Sequence, residues 1–133
     1  MDKQTVSLLQ GSLEKARAKL ATAHQLLQSK LYDDAVSRAY YAAFHAAQAA
    51  LLTEGLTAGT HQGLVTLFGL HLVKTGKLEK KFGKYLANLK DDREHSDYEI
   101  YSTIDETTAH DSIREATEFV AAMEQYLAPF LQR

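Results

Sequence analysis

The chain has 133 residues, the usual size of one domain, and a chain of that length buries roughly two-thirds of the surface it exposes unfolded, so its core needs no covalent staple. It contains no cysteine, which excludes thiol catalysis, thiolate zinc sites and disulfides, and which suits a reducing compartment. Its net charge of −2 is not the basic field of a general nucleic-acid binder, so any contact with RNA or DNA has to come from a local patch.

Met1-Asp2-Lys3-Gln4 runs straight into amphipathic sequence without a basic stretch followed by an apolar one. No apolar run approaches the ~20 residues of a membrane span. A cytoplasmic protein that makes no use of a membrane is therefore expected. One proline (Pro129) and seven glycines leave long stretches free for helix. In the first of these, Val6, Leu9, Leu13, Ala16, Leu20, Ala23 and Leu27 recur at alternating spacings of three and four, which predicts an amphipathic helix over about Thr5 to Gln28. Ser29-Lys30-Leu31-Tyr32 reads as a break, with Asp33 as a cap for the next helix.

That second helix, about Asp33 to Thr53, is apolar around most of its circumference. Ala35, Val36, Ala39, Tyr40, Ala43, Phe44, Ala46, Ala47, Ala50 and Leu51 mark it as central, with small residues that let neighbouring backbones come close. Either its own bundle surrounds it or one of its faces belongs to a dimer interface. Gly55 ends it. Leu64, Leu67, Phe68 and Leu72 predict a short third helix, and Lys74-Thr75-Gly76-Lys77 a second break. Phe82, Leu86 and Leu89, joined by Leu78 and Tyr85, form the stripe of a fourth helix. Thr103-Ile104-Asp105-Glu106 fits a capping box with Thr103 as N-cap. Ala109, Ile113, Ala116, Val120, Met123 and Leu127 then give a fifth amphipathic helix. The expected fold is all-α: an up-and-down four-helix bundle with an additional short helix, residues 1–133 forming a single domain.

Three constellations carry candidate chemistry. On the second helix Asp34, Arg38, Tyr41, His45 and Gln48 follow one another at spacings of four, three, four and three, a polar stripe on one face. The plain alternative is a solvated face on which Arg38 pairs with Asp34. On the fourth helix the inward stripe Phe82, Leu86, Leu89 continues to Arg93, so the core turns polar there. A cation facing inward has to be paired or border a wet cleft. Asp97, four residues on, is the immediate partner, and a structural ion pair closing the helix is the alternative. Lys74, Lys77, Lys80, Lys81 and Lys84 cluster near the start of the same helix and are read either as a phosphate-greeting patch or as a solubilising surface. The six histidines show no pair at the i,i+4 spacing of a helical zinc motif, and no glycine-rich phosphate loop or nucleophile elbow occurs, so neither a metal nor a cofactor is expected.

Ser37-Arg38-Ala39-Tyr40-Tyr41-Ala42-Ala43-Phe44-His45-Ala46-Ala47 resembles the second-helix signature of the HEPN family (higher eukaryotes and prokaryotes nucleotide-binding). Thr60-His61-Gln62-Gly63-Leu64 with Phe68, Val73-Lys74-Thr75-Gly76-Lys77, and Arg93 to Tyr98 are similar to the same family, in order along nearly the whole chain. The nearest subgroup is the small stand-alone bacterial and archaeal proteins. The resemblance implies a four- to five-helix bundle that forms a homodimer and is encoded beside a minimal nucleotidyltransferase, often as a toxin-like RNase with the transferase as antidote. It also implies an Arg-x4-6-His cleavage motif shared across the dimer cleft, whose arginine is here Arg93. The motif histidine is missing: the three permitted positions hold Tyr98, Glu99 and Ile100. Arg38 and His45 satisfy an Arg-x6-His spacing that recurs in RNA-cleaving helical domains.

Metal-independent cleavage through the 2′-hydroxyl needs groups that titrate near neutrality, and a tyrosine with pKa of about 10 does not. The leading expectation is accordingly a homodimeric binding and regulatory module, partner of a minimal nucleotidyltransferase, with a nucleotide- or RNA-phosphate cleft drawn from Arg93, Asp97, Tyr98, Arg38, Tyr41 and His45. A metal-independent RNase, with His45 or His95 replacing the motif histidine, is the second reading. A ligand-free helical interaction scaffold is the third.

Overall fold

The computed structural model describes residues 1–98 and 104–131, Tyr98 by its backbone alone. Asp2 starts α1 (Lys3–Gln28) because its carboxylate accepts the Thr5 amide at 2.7 Å, satisfying an N–H that the helix cannot. The helix therefore begins three residues before the apolar stripe does. It ends at Lys30, which adopts φ 61° while Leu31 N donates to Leu26 O and Lys30 N to Leu27 O. Gly55 closes α2 (Tyr32–Leu52) with the same pair of bonds, Leu56 N to Leu51 O and Gly55 N to Leu52 O, at φ 70°. Glycine enters that left-handed conformation at no steric cost, whereas Lys30 reaches it without such help.

Asp33 does not cap α2. No side chain caps that helix; the Asp33 carboxylate instead accepts the Ile104 amide at 3.0 Å and ties the segment before the last helix to the start of α2. The expected capping box at Thr103 lies partly outside the described residues. The α5 helix (Glu106–Leu131) is capped by Asp105, whose carboxylate takes the Thr108 amide at 2.8 Å. Thr103 and Asp105 are both sound cap residues two positions apart, and local sequence does not choose between them.

The α2 helix runs through the middle of the bundle, against α1, α3 (His61–Phe68), α4 (Lys80–Tyr98) and α5. All eight of its alanines, at positions 35, 39, 42, 43, 46, 47, 49 and 50, are wholly buried within this one chain. Small side chains bring the neighbouring helices in, and those neighbours consume the apolar circumference. Most of the apolar surface of α2 is thus covered within one chain, with Tyr41, Phe44 and Leu52 left partly exposed. Because Ala47 is wholly buried on this central helix, Ala47→Leu is expected to cost ~1–3 kcal/mol. A thermal melt checks this, and a midpoint within a degree or two of the parent would show α2 to be peripheral.

Between α2 and α4 the chain forms α3 and then a π-helical turn, Gly69–Val73, closed by Lys74 N donating to Gly69 O at 2.8 Å. The wide turn keeps Leu72 under Phe68 and Leu64, so three residues spaced by four all reach the core. Phe68 meets Phe119 at 5.4 Å between ring centroids, and Phe119 meets Phe82 edge-on at 6.2 Å, which joins α3, α5 and α4. Phe82, Leu86 and Leu89 are buried as one stripe, and Arg93 follows them inward at 6% exposure. Polar contacts also stitch α4 to α5: Ser112 Oγ donates to Asp92 at 2.8 Å and Tyr85 to Glu118 at 2.9 Å. Among the described residues no helix is long and apolar enough to cross a membrane.

Candidate functional site

The inward stripe of α4 delivers Arg93 to the flank of α2. Its guanidinium carbon lies 5.3 Å from the centre of the Tyr40 ring and 5.6 Å from that of Tyr41. Its Nη1 donates to Tyr41 Oη and to Asp97 Oδ2, both at 3.4 Å. Two π faces and a carboxylate flank a permanent cation where water is mostly excluded, an arrangement that suits a planar guanidinium better than a compact ammonium. Both hydrogen bonds are long, and Asp97 is partly exposed. The aromatic faces add to that support. Ser96 Oγ donates to the Arg93 carbonyl at 2.9 Å, which steadies the backbone of this last turn.

Arg93 lines a hollow of about 610 Å³ between α4 and the start of α3. Lys90, Asp91, Glu94 and His95 line it from α4, and His61 and Gln62 from α3. His61 stands there because Thr60 caps α3, taking the Gly63 amide at 2.9 Å, and so fixes the first residue of the helix beside α2. A Cβ on Gly63 would sit 2.8 Å from the Thr60 hydroxyl, so glycine is what the cap admits there. The His61 ring closes an aromatic cluster with Tyr40, Tyr41 and Phe44, at centroid distances of 5.5, 6.0 and 5.0 Å. Its Nδ1 lies 2.7 Å from the hydroxyl of Tyr40, a side chain with no exposed surface.

The electrostatics around this pair are one-sided. Burial pushes the Tyr40 phenol far above its usual pKa, so the hydroxyl keeps its proton. Burial, then the nearby Arg93 and Lys90 cations, push His61 below the ordinary histidine value. Lys90 is itself paired with Glu94 at 2.6 Å, and that hydrogen bond holds the Glu94 carboxyl low. Counting Lys90 and Arg93 against Asp91 and Glu94, the lining is close to neutral overall, with its one deeply buried charge a cation.

The polar stripe of α2 does not stay together. Tyr41 turns to Arg93, whereas His45 bonds Gln48 at 3.2 Å and opens on a different hollow of about 410 Å³ shared with Ser12 and Lys15 of α1. Burial lowers the His45 pKa there. Arg38 and Asp34 line neither hollow and form no ion pair with each other among the described residues. One helical face meets two neighbours, so side chains that share a stripe end in separate places. The five lysines at positions 74 to 84 are absent from the Arg93 hollow; Lys77 instead pairs with Glu54 at 2.6 Å. The side chain of Tyr98, with Glu99 and Ile100 at the longer motif spacings, lies outside the described residues. His61, Tyr40 and Lys90 line or support the site without being among the cleft candidates drawn from the sequence, although Tyr40 and His61 stand in the segments that resemble the HEPN family. The legible signal is Thr60-His61-Gln62-Gly63, a threonine cap that places a histidine at a helix start.

Comparison with known proteins agrees with this architecture. The HEPN domain matches residues 9–126. A Methanocaldococcus jannaschii protein, named as a candidate toxin, is 37% identical over 123 residues, covering 92% of this chain and 91% of that one. A UPF0332 protein of Thermotoga maritima is 35% identical over 113 residues, covering 85% and 86%. A second candidate toxin of M. jannaschii is 29% identical over 119 residues, covering 90% and 81%. The domain match spans most of the length, and the bundle it implies is the one seen: the chain belongs to the HEPN family.

Proposed function

We propose that this chain is the toxin-like member of a two-protein pair with a minimal nucleotidyltransferase, acts as a symmetric homodimer, and uses the Arg93 hollow to hold the phosphate of a nucleotide or of single-stranded RNA. The observation that carries the reading is Arg93 itself. A buried guanidinium clasped by Tyr40 and Tyr41 is costly to desolvate, yet it borders a hollow large enough for a nucleotide. Planar, fork-shaped donors suit phosphate oxygens. The names given to the two M. jannaschii relatives support the toxin-like part of the reading.

Binding is favoured over cleavage because the position that carries the motif histidine in the RNase branch holds Tyr98. The test is a titration of the parent and of Arg93→Ala with adenosine monophosphate and a short single-stranded RNA. Parent binding that the substitution abolishes supports the reading, whereas equal affinities would end it. RNA cleavage that persists in EDTA and disappears in Arg93→Ala would replace binding with catalysis. For the dimer, light scattering at micromolar concentration is expected to give twice the chain mass, and a monomer at high concentration would remove that part.

A further inference from the structure

We infer that His61 is the second phosphate-binding group of the Arg93 hollow, and that Tyr40 acts as its positioning residue, holding the ring so that Nε2–H is presented as a neutral donor. This rests on the phosphate reading of the hollow and adds to it a residue and a mode of action.

The geometry leaves Tyr40 one choice. Its hydroxyl is buried, and among the described residues His61 Nδ1, at 2.7 Å, is its one hydrogen-bond partner. A buried hydroxyl that fails to donate loses the worth of a hydrogen bond and more, so the O–H points at Nδ1 and Nδ1 accepts. A neutral imidazole that accepts at Nδ1 carries its proton on Nε2. Burial first, and then the groups facing the ring, favour its neutral form: Arg93 and Lys90 of α4 oppose a further positive charge and Glu94 offsets them only in part, while Tyr40 and Tyr41 of α2 supply rings and hydroxyls. His95 and Asp91 share the hollow. With Nδ1 engaged inward, the remaining edge of the ring is the one available to a ligand in the hollow that His61 lines.

Two consequences follow for what binds. A neutral N–H beside one buried guanidinium, in a lining where Lys90 and Arg93 are balanced by Asp91 and Glu94, suits a single phosphate or phosphodiester better than a polyphosphate, which would need more uncompensated cations. An Nε2 that already holds a proton also cannot accept one, so the ring serves as a donor to oxygen and not as the base that would activate a 2′-hydroxyl.

The experiment uses the full chain and a 2′-deoxy dinucleotide, whose phosphodiester does not titrate between pH 5 and 9 and which cannot be cleaved through a 2′-hydroxyl. Affinity is measured across that range for the parent, His61→Ala, His61→Gln and Arg93→Ala, each with a thermal melt. The parent is expected to bind with nearly constant affinity from pH 7 to 9, and more tightly below the depressed His61 pKa, where the ring becomes a cation. His61→Ala is expected to lose about tenfold in affinity at pH 7 and the low-pH rise with it. Gln places an N–H near the imidazole Nε2 position, so His61→Gln is expected to recover most of the affinity at pH 8 while lacking the rise. A lower melting temperature in His61→Ala with unchanged affinity would make His61 only a core partner of Tyr40 and overturn the inference. Failure of His61→Gln to rescue would overturn the donor role. If Arg93→Ala binds as the parent does, or the parent does not bind at all, the phosphate reading fails and this inference falls with it; loss in Arg93→Ala without loss in His61→Ala refutes the inference alone.

Discussion

Arg93→Ala is expected to lower affinity for a phosphate-bearing ligand by roughly tenfold to a hundredfold and, separately, to lower the unfolding free energy by about 1–3 kcal/mol. The first figure follows from a hydrogen bond to a charged group, worth ~1.5–3 kcal/mol, with each 1.4 kcal/mol equal to a factor of about ten. The second combines lost contact with the Tyr40 and Tyr41 faces and the isolation of Asp97. It stays modest because Asp97 is partly exposed and water can replace its partner. A buried ion pair with no ligand would give the second effect and not the first. Arg93→Lys separates the terms further. It keeps the charge but loses the fork and the flat surface, so it is expected to fold and to bind weakly. Urea unfolding and ligand titration on the same samples read both quantities. Unchanged affinity with a large fall in stability would make Arg93 a structural residue.

Phe119→Ala is expected to destabilise by about 3–5 kcal/mol, the usual cost of removing a buried aromatic ring that its surroundings cannot collapse upon. Phe119 is wholly buried and touches two rings on two other helices, Phe68 of α3 and Phe82 of α4. Removing it withdraws the common partner that docks α3 against the bundle, and α3 carries His61. The variant is therefore expected to show weaker ligand binding as well, at temperatures where it remains folded. A loss under ~1 kcal/mol would mean that α3 is held elsewhere and that the position of His61 does not depend on this contact.

The reach of sequence reasoning differs from element to element. Periodicity identifies all four long helices and bounds α1 and α2 to within about two residues, because an apolar stripe needs only local spacing to be recognised; Leu78, read as part of the fourth stripe, lies before α4 begins at Lys80. It also carries the α4 stripe onward from Leu89 to Arg93, so an inward cation is legible from spacing alone. On α5 the same spacing draws the stripe too narrow: Phe119 and Ser112 are buried as well, since α5 packs against α2, α1 and α4 and so buries a broad face. On α2 a shared face suggests a shared site. The helix is surrounded, however, and the packing sends Tyr41 to α4 and His45 to α1.

By itself, then, the sequence determined an all-α chain, the central place of an alanine-rich α2, the glycine closure at Gly55, and the burial of Arg93, all of which depend on residue type and on neighbours three or four positions away. The tertiary structure alone decided which polar groups meet. Asp33 caps nothing local but accepts an amide 71 residues further on. His61 reaches Tyr40 across 21 residues and the whole α2–α3 connection. The physical reason is one of range. Helix periodicity is a local property, with energies summed along the chain, whereas a hydrogen bond between distant side chains exists only after packing has fixed the positions of both partners.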